Sequence, residues 1–261
     1  MIDHLSPSQI SMFSRCGESF RRRYIEREII PPGIALIVGG SVHKAAEHNN
    51  RQKVESKVDL RVDELRDVAA TEFSTRLQID GWRKESDDDD IGKGKDRAIL
   101  LTDIYAERIA PTIQPVLVEQ AADIPLPDSP VVVKTILDVA DANGIVRDLK
   151  TASRKKPQAD ADTNTALSWY SISHRILTGD WPKGMALDVA ILTEGGKADY
   201  QHLPTTRSEV EINSAFAKAW NMIEAIKRGV FIPRTRADGN FLCSRRFCGY
   251  APTCRYCDSK E

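Results

Sequence analysis

The sequence predicts an α/β fold in which a central mixed sheet is flanked by helices. Two observations lead to this prediction. The first 110 residues are mainly helical in pattern, with apolar side chains recurring three and four positions apart. The middle of the chain changes to β-rich runs that are separated by turn residues. We expect a single domain over residues 1–261, with a mainly helical part (1–110), a sheet core (111–200) and a C-terminal helix and tail (201–261).

The composition is that of an ordinary globular protein. Hydrophobic residues make up 41% and charged residues 29% of the chain. The net charge is only -1, so a site for nucleic acid would need local clusters such as Arg21–Arg23 or Arg154–Lys156. No apolar run is long enough for a membrane span, and the N-terminus lacks the layout of a signal peptide. We therefore expect a cytoplasmic protein with no membrane partner.

Helices dominate the N-terminal part. One is predicted from Ser6 to Glu26, because Ser6 followed by Pro7 is a typical helix start. A second is predicted to begin after Gly39-Gly40 and to carry His43. Further helices are predicted over residues 59–80, 94–109, 163–178 and 207–228.

The β-rich runs cover residues 115–126, 131–141, 145–151 and 185–194. The sequence Asp-Ala-Asn-Gly at 141–144 predicts a hairpin between the second and third runs. Asp148 and Lys150 are two positions apart, so they lie on one face of the third run. A loop with an odd number of residues would set Asp138 opposite Asp148, whereas a two-residue loop would turn Asp138 away.

In the odd register, two carboxylates and a lysine converge. Adjacent carboxylates repel each other unless a cation lies between them, and their hard oxygen atoms suit Mg²⁺ or Mn²⁺. A structural alternative is open at this point, since Asp148 and Lys150 would also fit an exposed, charged edge of a sheet.

Asp138, nine intervening residues and then Asp148-Leu149-Lys150 resemble the active-site hairpin of the PD-(D/E)xK nuclease superfamily. The segment GGSVHKAAE, which contains His43, resembles the Gly-x-x-His helix of its RecB-like exonuclease branch. The segment LSPSQISMFSRCGESFRRRYIE resembles the N-terminal segment of that branch. The likeness covers nearly the whole chain and is greatest to iron–sulfur members, including CRISPR-associated and phage exonucleases.

The resemblance implies a restriction-endonuclease-like fold and a metal site. It implies that His43, Asp138 and Asp148 bind Mg²⁺ or Mn²⁺, that both aspartates are catalytic, and that Lys150 assists catalysis. Asp148 departs from the pattern, because the second acid is usually glutamate. Glu119 in the preceding run is either an additional acid near the metal or a structural residue.

A second departure concerns the helix after the lysine. The family usually has Gln-x-x-x-Tyr there, and this chain keeps Tyr170 but has Ala166 in the glutamine position. Tyr170, Arg154 and Lys155 are candidates for binding the substrate, although Tyr170 and Trp169 also fit a role in the core.

The chain has five cysteines, of which four crowd the C-terminal tail. In a reducing compartment such a cluster indicates metal binding rather than disulfides. The resemblance implies a 4Fe-4S cluster held by Cys16, Cys243, Cys248 and Cys254, with Cys257 as a free thiol. The spacing also permits a local zinc site made of the last four cysteines, which would leave Cys16 without a role.

The sequence therefore predicts a metal-dependent DNA exonuclease with a structural 4Fe-4S cluster. Its expected substrate is single-stranded DNA or duplex DNA with an end, in recombination, repair, phage replication or CRISPR-type processing, with a recombination or CRISPR protein as a candidate partner. The alternative is a non-catalytic iron–sulfur subunit that binds DNA or serves assembly and keeps a vestigial nuclease site. Ala166 favours this alternative, and the intact Asp138, Asp148 and Lys150 favour the enzyme.

Overall fold

The computed structural model describes residues 2–239 and 241–257. Within them, a six-stranded mixed sheet lies between helices, which confirms the predicted α/β fold. The strands are β1 (His4–Leu5), β2 (Pro115–Pro125), β3 (Val132–Asp141), β4 (Ile145–Ala152), β5 (Gly184–Leu192) and β6 (Ala198–Thr205). The helices are α1 (Pro7–Arg15), α2 (Gly17–Phe20), α3 (Ile34–Ser56), α4 (Val62–Asp80), α5 (Ile91–Ile104), α6 (Ala159–Asp162), α7 (Thr165–Thr178) and α8 (Glu209–Lys227).

Strand β3 has neighbours on both of its edges. It pairs antiparallel with β2 along one edge, from Val132 to Asp141. The other edge pairs with β1 at Val132 and Val133, and with β4 at Val139 and Ala140. Among the described strands, none pairs with the part of this edge that lies between β1 and β4. The sheet continues from β4 to β5 in parallel and from β5 to β6 antiparallel.

Three apolar clusters attach the helices to the sheet. Helices α3, α4 and α5 pack on one face, where Leu149 of β4 lies. On the other face, Leu167 of α7 packs against residues of β3, β4 and β5. The third cluster joins β1, α1, α7 and α8 around the buried Trp169, which assigns this tryptophan to the core. Among the described residues, no helix is both long and apolar enough to cross a membrane.

The predicted helix from Ser6 to Glu26 is wrong at Cys16, where the backbone is extended (φ -164°, ψ 109°). Gly17 follows, and its backbone N–H donates a hydrogen bond to the carbonyl oxygen of Ile232 at 2.8 Å. A Cβ atom at Gly17 would lie 2.6 Å from the Ile232 nitrogen, so a glycine is required for this close approach. The interruption of the helix thus brings Cys16 to the C-terminal tail.

Two other elements differ from the sequence-based expectation. Helix α3 begins at Ile34, so Gly39 and Gly40 lie inside it rather than before it. A Cβ atom at Gly40 would lie 2.7 Å from Cζ of Arg76 in α4, so this glycine makes room for the guanidinium group. Strand β6 was not predicted, because it is mostly polar and only its Leu203 is buried.

The hairpin between β3 and β4 has the odd register. Gly144 has a φ of +79°, and Oδ1 of Asp141 accepts hydrogen bonds from the backbone N–H groups of Asn143 (2.9 Å) and Ile145 (3.0 Å). Val139 pairs with Arg147 as a result. The next position in this register sets Asp138 opposite Asp148.

Candidate active site

The candidate site lies where β3 and β4 separate. Their pairing covers Val139 with Arg147 and Ala140 with Val146, next to the turn. Asp138 and Asp148 occupy the first position beyond this pairing, at the fork between the strands. The fork places two carboxylates side by side and leaves space that strand pairing would otherwise close.

The surroundings of Asp138 disfavour the ionised form of its carboxyl group. Its Oδ2 atom is buried without a hydrogen-bond partner and lies 3.5 Å from Nδ1 of His43. Burial raises the pKa of Asp138 well above its usual range, and the charge of Asp148 raises this pKa further. A carboxylate in this situation gains from a cation more than an exposed one does.

Lys150 supplies the nearest positive charge. Its Nζ atom lies 2.6 Å from Oδ2 of Asp148, with which it forms an ion pair. Burial lowers the pKa of Lys150, but Asp148 and Asp138 more than offset this effect, so the pKa is above its usual value. Lys150 is therefore an ammonium group at neutral pH.

His43 reaches the fork from α3. Burial lowers the pKa of His43, and the positive charge of Lys150 lowers it further. The imidazole is consequently neutral at neutral pH, which is the form that binds metal ions. Glu47, one turn further along α3, is paired instead with Lys44 (2.9 Å) and Arg51 (2.7 Å).

Glu119 is the third acid at the fork. The pairing of β2 with β3 joins Val118 to Val139 and Gln120 to Leu137, so Glu119 lies opposite Asp138. Its φ of +47° is in the left-handed region, which an L-residue with a side chain rarely adopts. Burial raises the pKa of Glu119, and the charge of Glu47 adds to this. This backbone conformation turns an acid towards the site, where Glu119 and Asp138 line one cavity.

The donors present at the fork fit a divalent metal ion. Oδ2 of Asp138 is buried without a hydrogen-bond partner beside a neutral imidazole, and Oδ2 of Asp148 is buried against the ammonium of Lys150. Across residues 2–239 and 241–257, no three histidine, cysteine or acidic side chains lie in ready coordination geometry. The charge of Lys150 on Asp148 explains this in part, because the ammonium takes the oxygen that a metal ion would bind.

The three candidates for substrate binding lie in two places, one near the fork and two in an exposed loop. Tyr170 of α7 lies near the fork, where burial raises the pKa of its phenol and the charges of Asp138 and Asp148 raise it further. Arg154 and Lys155 are exposed in the loop after β4. Nζ of Lys155 is already paired with Asp199, at 3.1 Å.

A buried charge network next to the fork was not anticipated from the sequence. The guanidinium of Arg147 lies 3.1 Å from Oδ2 of Asp141 and 3.2 Å from Oδ2 of Asp188. Asp188 also contacts Nδ1 of His202 (2.8 Å) and accepts a hydrogen bond from the Tyr200 hydroxyl (3.2 Å). The available signal was a single arginine within an apolar strand. The network ties the hairpin turn to β5 and β6, and so fixes the register that aligns Asp138 with Asp148.

The five cysteines meet around one cavity of about 560 Å³. Burial raises the pKa of the Cys243 thiol to about 12, with Cys257 as the next cause, and burial also raises the pKa of Cys248. Cys257 is the most buried of the five, 3% exposed. Its Sγ atom lies 3.8 Å from the carbonyl oxygen of Cys243. Cys16 and the tail cysteines, far apart in sequence, thus lie together.

The predicted cation cluster at Arg21–Arg23 is largely neutralised. Arg21 is paired with Glu18 and Glu26. Arg22 is buried, pairs with Glu28 at 2.6 Å and donates a hydrogen bond to the Tyr250 carbonyl oxygen at 3.2 Å. Arg22 thus holds the tail to the N-terminal helices, and the hypothesis that this cluster supplies free cations for DNA is wrong for Arg21 and Arg22, which are already paired with carboxylates.

Comparisons with known proteins agree with this geometry. The family model of the PD-(D/E)XK nuclease superfamily matches residues 4–255. Among solved structures, the chain is similar to the "Putative exonuclease" from Eubacterium rectale, with a TM-score of 0.51 and 14% identity over 87% of this chain and 82% of that chain. At this identity the likeness shows a shared fold. A search of curated proteins finds no match. The family match spans the whole sheet and every candidate residue at the fork.

Proposed function

Because the chain belongs to the PD-(D/E)XK nuclease superfamily, we propose that it is a metal-dependent deoxyribonuclease that acts as an exonuclease. The observation that carries the proposal is the convergence of Asp138, Asp148, His43 and Lys150 at a fork where a buried oxygen of Asp138 lacks a hydrogen-bond partner. The similar fold of a protein described as an exonuclease supports cleavage from an end.

His43, Asp138 and Asp148 would hold Mg²⁺ or Mn²⁺. When bound, such an ion supplies positive charge to the scissile phosphate and to the attacking water. Asp138 must lose its proton to become a ligand, and His43 is already neutral. Glu119 adds a further carboxylate on the side of β2.

Lys150 acts as a charged hydrogen-bond donor. In the metal-free site, the charges of Asp148 and Asp138 raise its pKa and keep it an ammonium group. Its Nζ can orient the attacking water and stabilise the negative charge that develops in the transition state. The phenol of Tyr170 stays protonated because of its raised pKa, and it can donate a hydrogen bond to a phosphate oxygen.

We also propose that Cys16, Cys243, Cys248 and Cys254 bind a 4Fe-4S cluster with a structural role, which would place the chain in the iron–sulfur RecB-like branch. Their location around a single cavity supports this assignment. The burial of Cys257 suits a thiol that packs as a small apolar side chain. Iron would bind the thiolate form, so the raised pKa values of Cys243 and Cys248 imply that cluster assembly releases protons.

The activity is tested with end-labelled linear DNA and covalently closed circular DNA, each incubated with Mn²⁺ or Mg²⁺. We expect the linear DNA to be degraded and the circular DNA to survive, and EDTA or Asp148→Asn to abolish the reaction. Cleavage of both substrates would support a nuclease that is not an exonuclease. Binding of DNA without any cleavage would support the non-catalytic subunit that Ala166 favours.

A further inference from the structure

The C-terminal segment is strongly basic in an otherwise balanced chain. Residues 228–257 contain six arginines and one aspartate, whereas the net charge of the whole protein is -1. Such a local excess of positive charge attracts a polyanion even where the overall charge does not.

Four of the six arginines of this segment are available for a ligand. Arg234, Arg245, Arg246 and Arg255 are exposed. In the part of the chain that the structure describes, none of the four forms an ion pair with a carboxylate. They differ in this respect from Arg22, which is buried and committed to Glu28. Unpaired arginines on a surface are typical of contacts with phosphate groups.

Two aromatic rings lie among these arginines. Phe241 is 69% exposed and Phe247 is 52% exposed. Their centroids are 5.7 Å apart with the rings at 90°, and the guanidinium of Arg246 lies 5.5 Å from the centroid of Phe247. Exposed aromatic rings next to unpaired cations are the elements with which proteins stack the bases of single strands and hold their backbone.

One face of α3, formed by Leu36, Gly39, Gly40 and His43, connects this surface to the fork. Leu36, 68% exposed, lines the same cavity as Phe247 and Arg234. It precedes His43 by seven residues, which is two turns on one face of the helix and about 10 Å along its axis. Gly39 and Gly40 lie between them, and the guanidinium of Arg76 lies against Gly40. Arg76 is paired with Glu72 at 2.7 Å, so this face of α3 contributes little side-chain bulk rather than a free cation.

We propose that Phe241 and Phe247, together with Arg234, Arg245 and Arg246, form a binding surface for single-stranded DNA that leads along α3 to His43. This inference rests on the proposed nuclease function and adds the substrate form: a single-stranded end, whose bases are free to stack. Duplex DNA keeps its bases paired and would use the arginines alone.

The test is a set of fluorescence anisotropy titrations in EDTA, with a labelled single strand and a blunt duplex of the same sequence. The variant Phe241→Ala/Phe247→Ala should bind the single strand about 10- to 100-fold more weakly, while duplex affinity changes less than threefold. Phe241→Leu/Phe247→Leu keeps apolar volume without the rings and should show the same loss. Trp181→Ala is the matched control, because Trp181 is 48% exposed beneath the guanidinium of Arg175 but lies elsewhere.

A second variant, Arg245→Ala/Arg246→Ala, should reduce the slope of log affinity against log salt concentration by about 1.4 for the single strand. Circular dichroism and the metal content of each variant verify the fold.

Wild-type affinity for the single strand in the folded Phe241→Leu/Phe247→Leu protein would overturn the proposal and assign the rings to a protein contact. Asp148→Asn separates this inference from the proposed activity, since it should lose cleavage and keep single-strand binding. If wild-type protein cleaves no DNA but binds single strands through the rings, the nuclease proposal fails and the surface stands.

Discussion

Nζ of Lys150 lies 2.6 Å from Oδ2 of Asp148, and both side chains leave the same face of β4. The ammonium balances one of two carboxylates that the hairpin register sets opposite each other. The second carboxylate, Asp138, has no such partner at its Oδ2. Because Lys150 neutralises Asp148 but not Asp138, we expect the residues of the site to respond differently to substitution, to pH and to metal ions.

Asp138→Asn should stabilise the metal-free protein and abolish metal binding. The substitution removes a buried carboxyl whose charge is disfavoured by burial and by Asp148. We expect the melting temperature without metal to rise by about 2–4 °C, the shift that about 1 kcal/mol produces in a domain of this size. Differential scanning calorimetry with and without Mn²⁺ checks this. A protein that is less stable and still stabilised by Mn²⁺ would contradict the role of Asp138.

Metal affinity should increase as the pH rises. Asp138 has a raised pKa in the folded state and must be ionised to bind metal, whereas the lowered pKa of His43 leaves the imidazole neutral. For the metal-free protein the sign is opposite: the stabilisation from protonated Asp138 is present below the unfolded pKa and is lost as the pH rises through the raised folded pKa. Calorimetric titration with Mn²⁺ in two buffers of different ionisation enthalpy should detect proton release. An affinity independent of pH across the acidic and neutral range would contradict this account.

Cys16→Ala and Cys257→Ala distinguish the two cysteine arrangements. If the 4Fe-4S assignment is right, anaerobically purified protein is brown and absorbs broadly near roughly 400 nm. Cys16→Ala should then lose iron, whereas Cys257→Ala should keep it. Colourless protein with stoichiometric zinc that survives Cys16→Ala would favour the local zinc site. Metal analysis and absorption spectra of the three proteins provide the measurement.

Arg147→Met should destabilise the protein by about 3–5 kcal/mol, because it removes the cation that the buried Asp141 and Asp188 share. Arg66→Met is the matched control, since Arg66 forms an exposed pair with Asp103 and its loss should cost less than about 1 kcal/mol. Urea unfolding of both variants checks the difference. Equal losses would mean that the network does not hold the hairpin.

The sequence was sufficient to predict most of the helices and strands, but not the register of the hairpin that brings the candidate site residues together. Asp-Ala-Asn-Gly predicts a turn, while a two-residue and a three-residue loop remain compatible with it. The three-residue loop is stabilised by Oδ1 of Asp141, which accepts hydrogen bonds from the backbone N–H groups of Asn143 and Ile145. Arg147 then fixes the turn through a contact with β5, which lies outside any local pattern.

Long-range contacts explain most of the other differences between the predicted and the observed helices and strands. Glycine disfavours a helix interior, yet Gly40 lies within α3 because Arg76 of α4 occupies the space of its side chain. The break at Cys16 depends on Ile232, more than 200 residues away. Strand β6 is half-exposed at the edge of the sheet, so its apolar pattern is weak.

If the proposed nuclease function is right, Lys150 and Asp148 both take part in the cleavage of DNA. The test is single-turnover cleavage of end-labelled DNA by Lys150→Ala, together with a Mn²⁺ titration of the same protein. Lys134→Ala is the control, because the side chain of Lys134 in β3 is exposed. Lys150→Ala removes no metal ligand, so Mn²⁺ should bind at least as well as in the wild type, while cleavage slows by about 100-fold or more. Asp148→Asn should instead lose metal affinity and cleavage together. Cleavage by Lys150→Ala at the wild-type rate would contradict the account, because the two residues would then be only a charged face of the strand.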